Sequence, residues 1–287
     1  MLKIIQKTKI WFSISLIIII IGLGFFAKNG LNYGIDFKGG TVVKINIGKD
    51  FKKQELDSIV KKYTSDYVTN KVEKTQLEIK SNSLTDDGIS NLFKDVKNKY
   101  KLKDKDLLSQ ERIGPSIGNE LKRKALVAMA VAIIAMLIYV GIRFEFKFGV
   151  SAIVALAHDV LITLAVYVIF KIPVSSNFIA AILTIVGYSI NDTIVIFDRI
   201  RENQKKMRRE DITKIANVSI TETISRSINT VLTTLFTIVA VYYFVPSVRD
   251  FTIPLMIGVL SGCYSSIFIA SPFWVILKKK KNKKATA

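Results

Sequence analysis

The chain has 287 residues, half of them apolar, and a formal net charge of +19. The apolar content lies in long blocks of about 20 residues, the length at which a helix crosses a hydrocarbon layer about 30 Å thick, which excludes an ordinary soluble core. So basic a soluble protein would point to nucleic acid, but here the basic residues flank the apolar blocks and set membrane orientation; the lone Cys263 excludes an intramolecular disulfide.

Residues 1–9 carry Lys3, Lys7 and Lys9 and are predicted to stay in the cytoplasm. The first apolar block, 10–27, reads as an uncleaved anchor, because Lys28, Asn29 and Gly30 do not offer a small-residue cleavage site. The polar stretch 28–124 is predicted to form an extracytoplasmic α+β domain; its many lysines do not oppose this, since long segments translocate regardless of charge. Thr41–Ile47 alternates like a strand, and Leu56, Ile59, Val60 and Tyr63 share a helical face within Phe51–Tyr63. Tyr67–Val72 and Gln76–Lys80 read as two strands. Thr85 can cap a helix bearing Ile89, Leu92, Phe93 and Val96, and Asp106–Ile113 reads as a last strand. The order β-α-β-β-α-β is that of a ferredoxin-like domain. It contains no His or Cys and its acids lie on charged faces, so it reads as a binding module.

Further spans are predicted at 125–142, 150–170, 178–197, 227–245 and 251–277. The stretch 198–226 is expected as a cytoplasmic loop rich in basic residues (Arg201, Lys205, Lys206, Arg208, Arg209, Lys214), and 278–287 as a basic cytoplasmic tail that snorkels to lipid headgroups. The result is an α-helical polytopic membrane protein of six transmembrane helices with both termini inside. Gly258 and Gly262 allow a close helix approach, and Pro254 and Pro272 can kink the last span. No phosphate-binding glycine loop of the G-x-x-x-x-G-K-[ST] type occurs, so energy for transport has to come from an ion gradient or a partner.

Charged side chains inside a span cost about 2.5–3.5 kcal/mol on insertion scales and therefore usually do work. Asp159 lies mid-span, with Thr163 and Tyr167 on its face. Asp192 lies nearer the cytoplasmic end of the fourth span, with Thr184 and Tyr188 on its face and Asn191 beside it. Arg226 opens the fifth span, and Asn229, Thr230, Thr233 and Thr237 continue its face. Three such stripes are expected to converge into one hydrated track in which a carboxylate gains and loses an arginine neighbour. The residues leave open whether Arg226 is instead an interfacial flank, and whether Asp159 is a relay point or a neutral hydrogen-bonded member. His158, next to Asp159 but about 100° around the helix, reads as a structural histidine or a relay.

Several runs resemble one family. Tyr33-Gly-Ile-Asp-Phe-Lys-Gly-Gly-Thr41 is similar to the GIDFxGGT signature of the SecF type within the SecD/SecF family, of the resistance–nodulation–division superfamily. Arg112-Ile-Gly-Pro-Ser-Ile-Gly118 resembles its VGPxxG element, with Ile113 for the usual Val. Ala157-His-Asp-Val160, the run Ser189–Asn203 and Thr223–Thr230 resemble its third-, fourth- and fifth-span motifs. The resemblance implies a SecD partner, assistance to the Sec translocon channel, and use of a proton or sodium motive force to draw exported unfolded polypeptide across the bacterial cytoplasmic membrane. It implies no enzymatic activity, no cofactor, no metal and no nucleic acid; membrane lipid is the remaining contact. Carried over by motif, Asp192, Arg226 and Asp159 are the ion-coupling residues, with Asn191, Thr163, Tyr188, Asn229, Thr230 and Thr233 in support. The motif positions are Gly34, Asp36, Gly39, Gly40, Gly114, Pro115 and Gly118. The alternative is a half-size exporter of small molecules or lipids, disfavoured because such exporters usually carry both six-span halves in one chain; a scaffold or sensor would not need Asp159 or Asp192 within its spans.

Overall fold

The structure, a computed structural model, describes residues 2–143 and 145–285. It contains six helices long and apolar enough to cross a membrane. The first, α1 (Thr8–Asn29), follows a single 3-10 turn, Ile5–Lys7. That turn is pinned rather than frayed: the N–H groups of Ile4 and Ile5 donate to Asn217 Oδ1 at 3.0 and 3.1 Å.

After α1 comes a short turn of helix, α2 (Ile35–Lys38), and then the α+β domain: β1 (Gly40–Asn46), α3 (Lys53–Val60), β2 (Tyr67–Val72), β3 (Gln76–Ser81), α4 (Asp86–Tyr100) and β4 (Leu107–Ile113). The sheet order is β2-β3-β1-β4 and each neighbouring pair is antiparallel. This is the split β-α-β topology of a ferredoxin-like domain. Alternation in β1 sends Val43 and Ile45 onto one face, opposite Ile79 and Leu77 of β3, and that face packs on Leu56 of α3 and Ile89, Leu92 and Val96 of α4. Thr85 caps α4 by accepting the Gly88 N–H.

The remaining spans are α5 (Pro115–Arg143), α6 (Phe146–Ile169), α7 (Ser176–Lys206), α8 (Ile212–Phe244) and α9 (Arg249–Ser265). The last runs on through a π-helical stretch, Ser266–Ala270, into α10 (Ser271–Ala285). Pro272 lacks the N–H that would bond the turn before it, which explains an irregularity just upstream. The close pairs are α7 with α9 and α1 with α6. A Cβ at Gly258 would lie 2.2 Å from Ile185, and one at Gly262 3.0 Å from Ser189, so only glycine lets α9 seat on α7 at this spacing. By contrast α5 buries only 6% of its apolar window, leaving its face for lipid or another chain.

The expected loop 198–226 is mostly helix. Helices α7 and α8 extend through it and leave only 207–211 between them. Its charges form helix-stabilising pairs, Arg199 with Glu202 and Lys206 with Glu202, and Asp211 caps α8 by accepting the Thr213 N–H. Apolarity ends where the bilayer ends, whereas helical hydrogen bonding need not. At the other end of the chain, residues 278–285 continue α10, and 286–287 lie outside the described residues.

Candidate ion-coupling site

Two aspartates are buried among the spans, in separate settings. Asp159 on α6 is 1% exposed. Its Oδ1 accepts from Ser261 Oγ at 2.7 Å, and its Oδ2 accepts from Ser189 Oγ at 2.6 Å and Ser265 Oγ at 2.8 Å. Ser261 and Ser265 stand one turn apart on α9, so both face α6. His158 supplies a fourth contact: its Nδ1 lies 3.0 Å from Asp159 Oδ1, and its Nε2 lies 2.8 Å from Ser15 Oγ on α1. A carboxylate offers about four acceptor positions, and this one has all of them engaged. The neighbours along α6 do meet, although adjacent helical positions point about 100° apart. Asp159 thus has a titratable neighbour that its sequence position does not announce.

Asp192 on α7 is 8% exposed. Its Oδ1 accepts from Ser227 Oγ of α8 at 2.7 Å, while its Oδ2 is buried with no hydrogen-bond partner among the described residues. An ionised oxygen so placed, with no donor to it, is costly. Arg226 precedes Ser227 on α8. Its side chain lines a cleft of about 490 Å³ with Ile194, Val195, Asp198, Arg199, Glu202, Glu222 and Thr223, at the end of the bundle away from the α+β domain. Arg226 forms no ion pair among the described residues and is exposed.

The single converging track expected from the three polar stripes is not formed within this chain. Thr163 donates to the Asp159 carbonyl at 2.8 Å and goes no further. Tyr188 Oη lies 3.0 Å from Thr234 Oγ1 and donates to the Thr230 carbonyl at 3.2 Å. Asn191, Asn229, Thr230 and Thr233 are exposed, the two threonines donating to carbonyls of their own helix. The α8 stripe therefore lies on the outer face of the bundle, whereas Asp159 faces inward between α6, α7 and α9. What sequence reasoning missed are the serines: Ser189, Ser261 and Ser265 hold the Asp159 carboxylate, Ser227 holds that of Asp192, and Ser15 meets the His158 ring. Their signal was faint: small polar residues one turn apart beside helix-packing glycines.

The glycine-rich signature joins the domain to the bundle. Gly34 N–H donates to the Val174 carbonyl at 2.8 Å, and Val174 N–H to the Asn32 carbonyl at 2.7 Å. Asp36 Oδ2 accepts from the Ser176 N–H at 2.8 Å and from its hydroxyl. Gly39 has φ +80°, and Gly40 has φ +154° with space for no side chain, since a Cβ there would lie 2.5 Å from the Ser81 carbonyl oxygen. The Gly118 N–H donates back to the Gly114 carbonyl at 3.1 Å, Pro115 opens α5, and a Cβ on Gly118 would lie 2.9 Å from the Phe37 carbonyl oxygen.

A family profile described as protein export membrane protein SecD/SecF, C-terminal, matches residues 93–280, and the SecD/SecF GG motif matches 24–49. The protein translocase subunit SecF of Haemophilus influenzae is 37% identical, across 93% of this chain and 83% of the relative. The protein translocase subunit SecDF of Bacillus subtilis is 36% identical, across 98% of this chain and 39% of its own. The crystal structure of SecDF from Thermus thermophilus, a translocon-associated membrane protein, superposes with a TM-score of 0.79 at 35% identity, covering 96% of this chain. The present chain spans 38% of that SecDF chain. On this identity and coverage, the chain belongs to the SecD/SecF family of protein-export membrane proteins.

Proposed function

We propose that this chain works as the SecF-type half of a protein-export complex in the bacterial cytoplasmic membrane, with both termini in the cytoplasm. It pairs with a SecD-type six-span partner beside the Sec translocon channel and uses a proton gradient, or a sodium gradient, to promote late steps of translocation of unfolded polypeptide. It performs no enzymatic step. The observation that carries this reading is Asp192, a buried carboxylate with one oxygen held by Ser227 and the other without a partner among the described residues, with Arg226 next to Ser227 on α8. A group in that setting exchanges a proton when its surroundings shift. The exposed Asn191, Asn229, Thr230 and Thr233 are polar surface that lipid does not solvate, so a partner helix completes the ion path there.

Asp159 has a different part in this proposal. With three serine donors around it, the carboxylate joins α6, α7 and α9, its neighbour His158 reaches Ser15 of α1, and the cluster fixes the face that α7 turns toward α8. The test is Asp192→Asn in cells whose only copy of this chain carries the substitution. Gradient-dependent secretion should be lost with insertion and abundance normal, and Arg226→Ala should impair it. Full secretion in Asp192→Asn would remove Asp192 as the coupling group. Export of a small molecule or lipid by the chain alone would favour the half-size exporter.

A further inference from the structure

Two of the helices that build the aspartate sites, α7 and α9, are gripped at their far ends, α7 by the short helix α2 and α9 by the α+β domain that follows it. Helix α7 begins at Ser176, and its own N-cap residue, Ser175, makes no capping hydrogen bond. Asp36 takes that place from 140 positions away, accepting the Ser176 N–H and hydroxyl. It satisfies an N–H that the helix leaves open and sets a negative charge at the positive end of the dipole. Helix α9 carries Asp250 in its first turn, and Lys80 of β3 donates to that carboxylate at 3.2 Å. Lys80 also lies 3.3 Å from Glu78. Burial pushes the Lys80 ammonium toward losing its proton, but the carboxylates of Asp250 and Glu78 outweigh this and hold it charged, above its ordinary range.

Between the two grips the domain and the bundle leave part of their interface open, although β2 also packs against the 3-10 turn Pro246–Val248 ahead of α9. A cavity of about 370 Å³ separates them, with Asp36, Asp66, Lys80, Ser176 and Asp250 among its walls. A dry, filled interface would transmit movement over its whole area. Across a partly open one, force passes through the contacts that bridge it, here the Asp36–Ser176 and Lys80–Asp250 pairs, the Asn32–Val174–Gly34 backbone link and the packing of β2 on Pro246–Val248.

We propose that Asp36 and Lys80 are positioning residues of the export cycle: they carry displacement of α7 and α9, set by the state of Asp192, into tilting of the α+β domain. This rests on the reading of Asp192 as the coupling group. The two helices meet along Gly258 and Gly262, so a shift of α7 moves α9 with it. The domain end of each helix then moves its own grip.

The experiment uses the full chain with its six-span partner, in cells and in membrane vesicles. The variants are Lys80→Ala, Lys80→Asp, Lys80→Asp with Asp250→Lys, Asp36→Ala and Asp36→Asn. Two readouts are taken: gradient-driven export, and gradient-driven proton flux followed with a pH-sensitive dye. Lys80→Asp and Asp36→Ala should lower export by about 2- to 30-fold, the span of coupling changes seen for residues between two sites, while flux stays within about twofold of the parent chain. Lys80→Asp with Asp250→Lys should restore export, and Asp36→Asn, which keeps an acceptor oxygen for Ser176, should fall between Asp36→Ala and the parent. Export at parental rate in the single variants overturns the proposal, as does an equal fall of export and flux or a charge swap that fails to rescue. Asp192→Asn, run alongside, should abolish both readouts. If it leaves both intact, the parent reading fails and this one falls with it; if it abolishes both while Lys80→Asp and Asp36→Ala export at the parental rate, this proposal alone fails.

Discussion

Replacing Asp159 with alanine removes the acceptor of three serine hydroxyls and of one imidazole contact at once. The bonds are short, 2.6–2.8 Å, and buried, and they tie α7 and α9 to α6. Interhelical hydrogen bonds inside membranes average about 0.6 kcal/mol each by double-mutant cycles, with a maximum near 1.7, because hydroxyls find substitute acceptors. Ser265 already has one, the Gly262 carbonyl at 3.2 Å. Three such bonds together come to about 2 kcal/mol, rising toward 5 if no hydroxyl is re-satisfied. The assay is reversible unfolding in mixed micelles, comparing Asp159→Ala, Asp159→Asn and the triple replacement of Ser189, Ser261 and Ser265 by alanine. Asp159→Ala should lose about 2–5 kcal/mol. The triple variant, which strips donors from a buried carboxylate, should lose at least as much, and adding Asp159→Ala to it should cost nothing further. An Asp159→Ala chain as stable as the parent, or additive losses in the combined variant, would refute the joining role.

Other changes follow from the same contacts. Gly258→Val sets a side chain 2.2 Å from Ile185 and should cost about 1–3 kcal/mol while weakening the Asp159 cluster; adding Ile185→Ala should recover part of the loss, checked by the same unfolding assay. Ser227→Ala strips Asp192 of its one hydrogen bond and should shift the pH dependence of gradient-driven export with little change in abundance, read from export at stepped pH. In the α+β domain, burial pushes the Asp66 carboxyl up, but donation from Ser83, Thr64, the Asn82 N–H and Ser81 outweighs it and holds the group below the ordinary 3.8. A pKa lower in the folded than in the unfolded state contributes stability above the unfolded value, lost as pH falls below about 4. The opening free energy of β2 and β3 amides in the full chain, from hydrogen exchange corrected for the intrinsic rate at each pH, should therefore fall on acidification through that range, and Asp66→Asn should flatten the dependence.

Much of this was legible because each signal was local. Strand β1 shows itself by the alternation of Val43 and Ile45, and Asp159 and Asp192 stand out because a carboxylate is rare in an apolar block. Each aspartate's surroundings were not legible. Whether Asp159 meets Ser261 or Arg226 depends on the rotation of α6 against α9, which Gly258, Gly262 and the π stretch set jointly. The polar stripe from Arg226 to Thr233 is a periodic feature that says nothing about which side of the bundle it faces. Hydropathy ended α7 near Phe197, although the pairing of Glu202 with Arg199 and Lys206 was a readable sign that the helix continues. The Asp36–Ser176 grip joins residues 140 positions apart and carries no local signature.

The most direct measurement is export into vesicles holding this chain and its six-span partner, with an imposed proton gradient switched on or off, for the parent chain, Asp192→Asn and Asp159→Asn at matched abundance. The expected result is gradient-stimulated export in the parent, export at the gradient-free rate in Asp192→Asn, and partial stimulation in Asp159→Asn in proportion to its remaining folded fraction. Gradient stimulation of parental size in Asp192→Asn would contradict the assignment of ion coupling to this site.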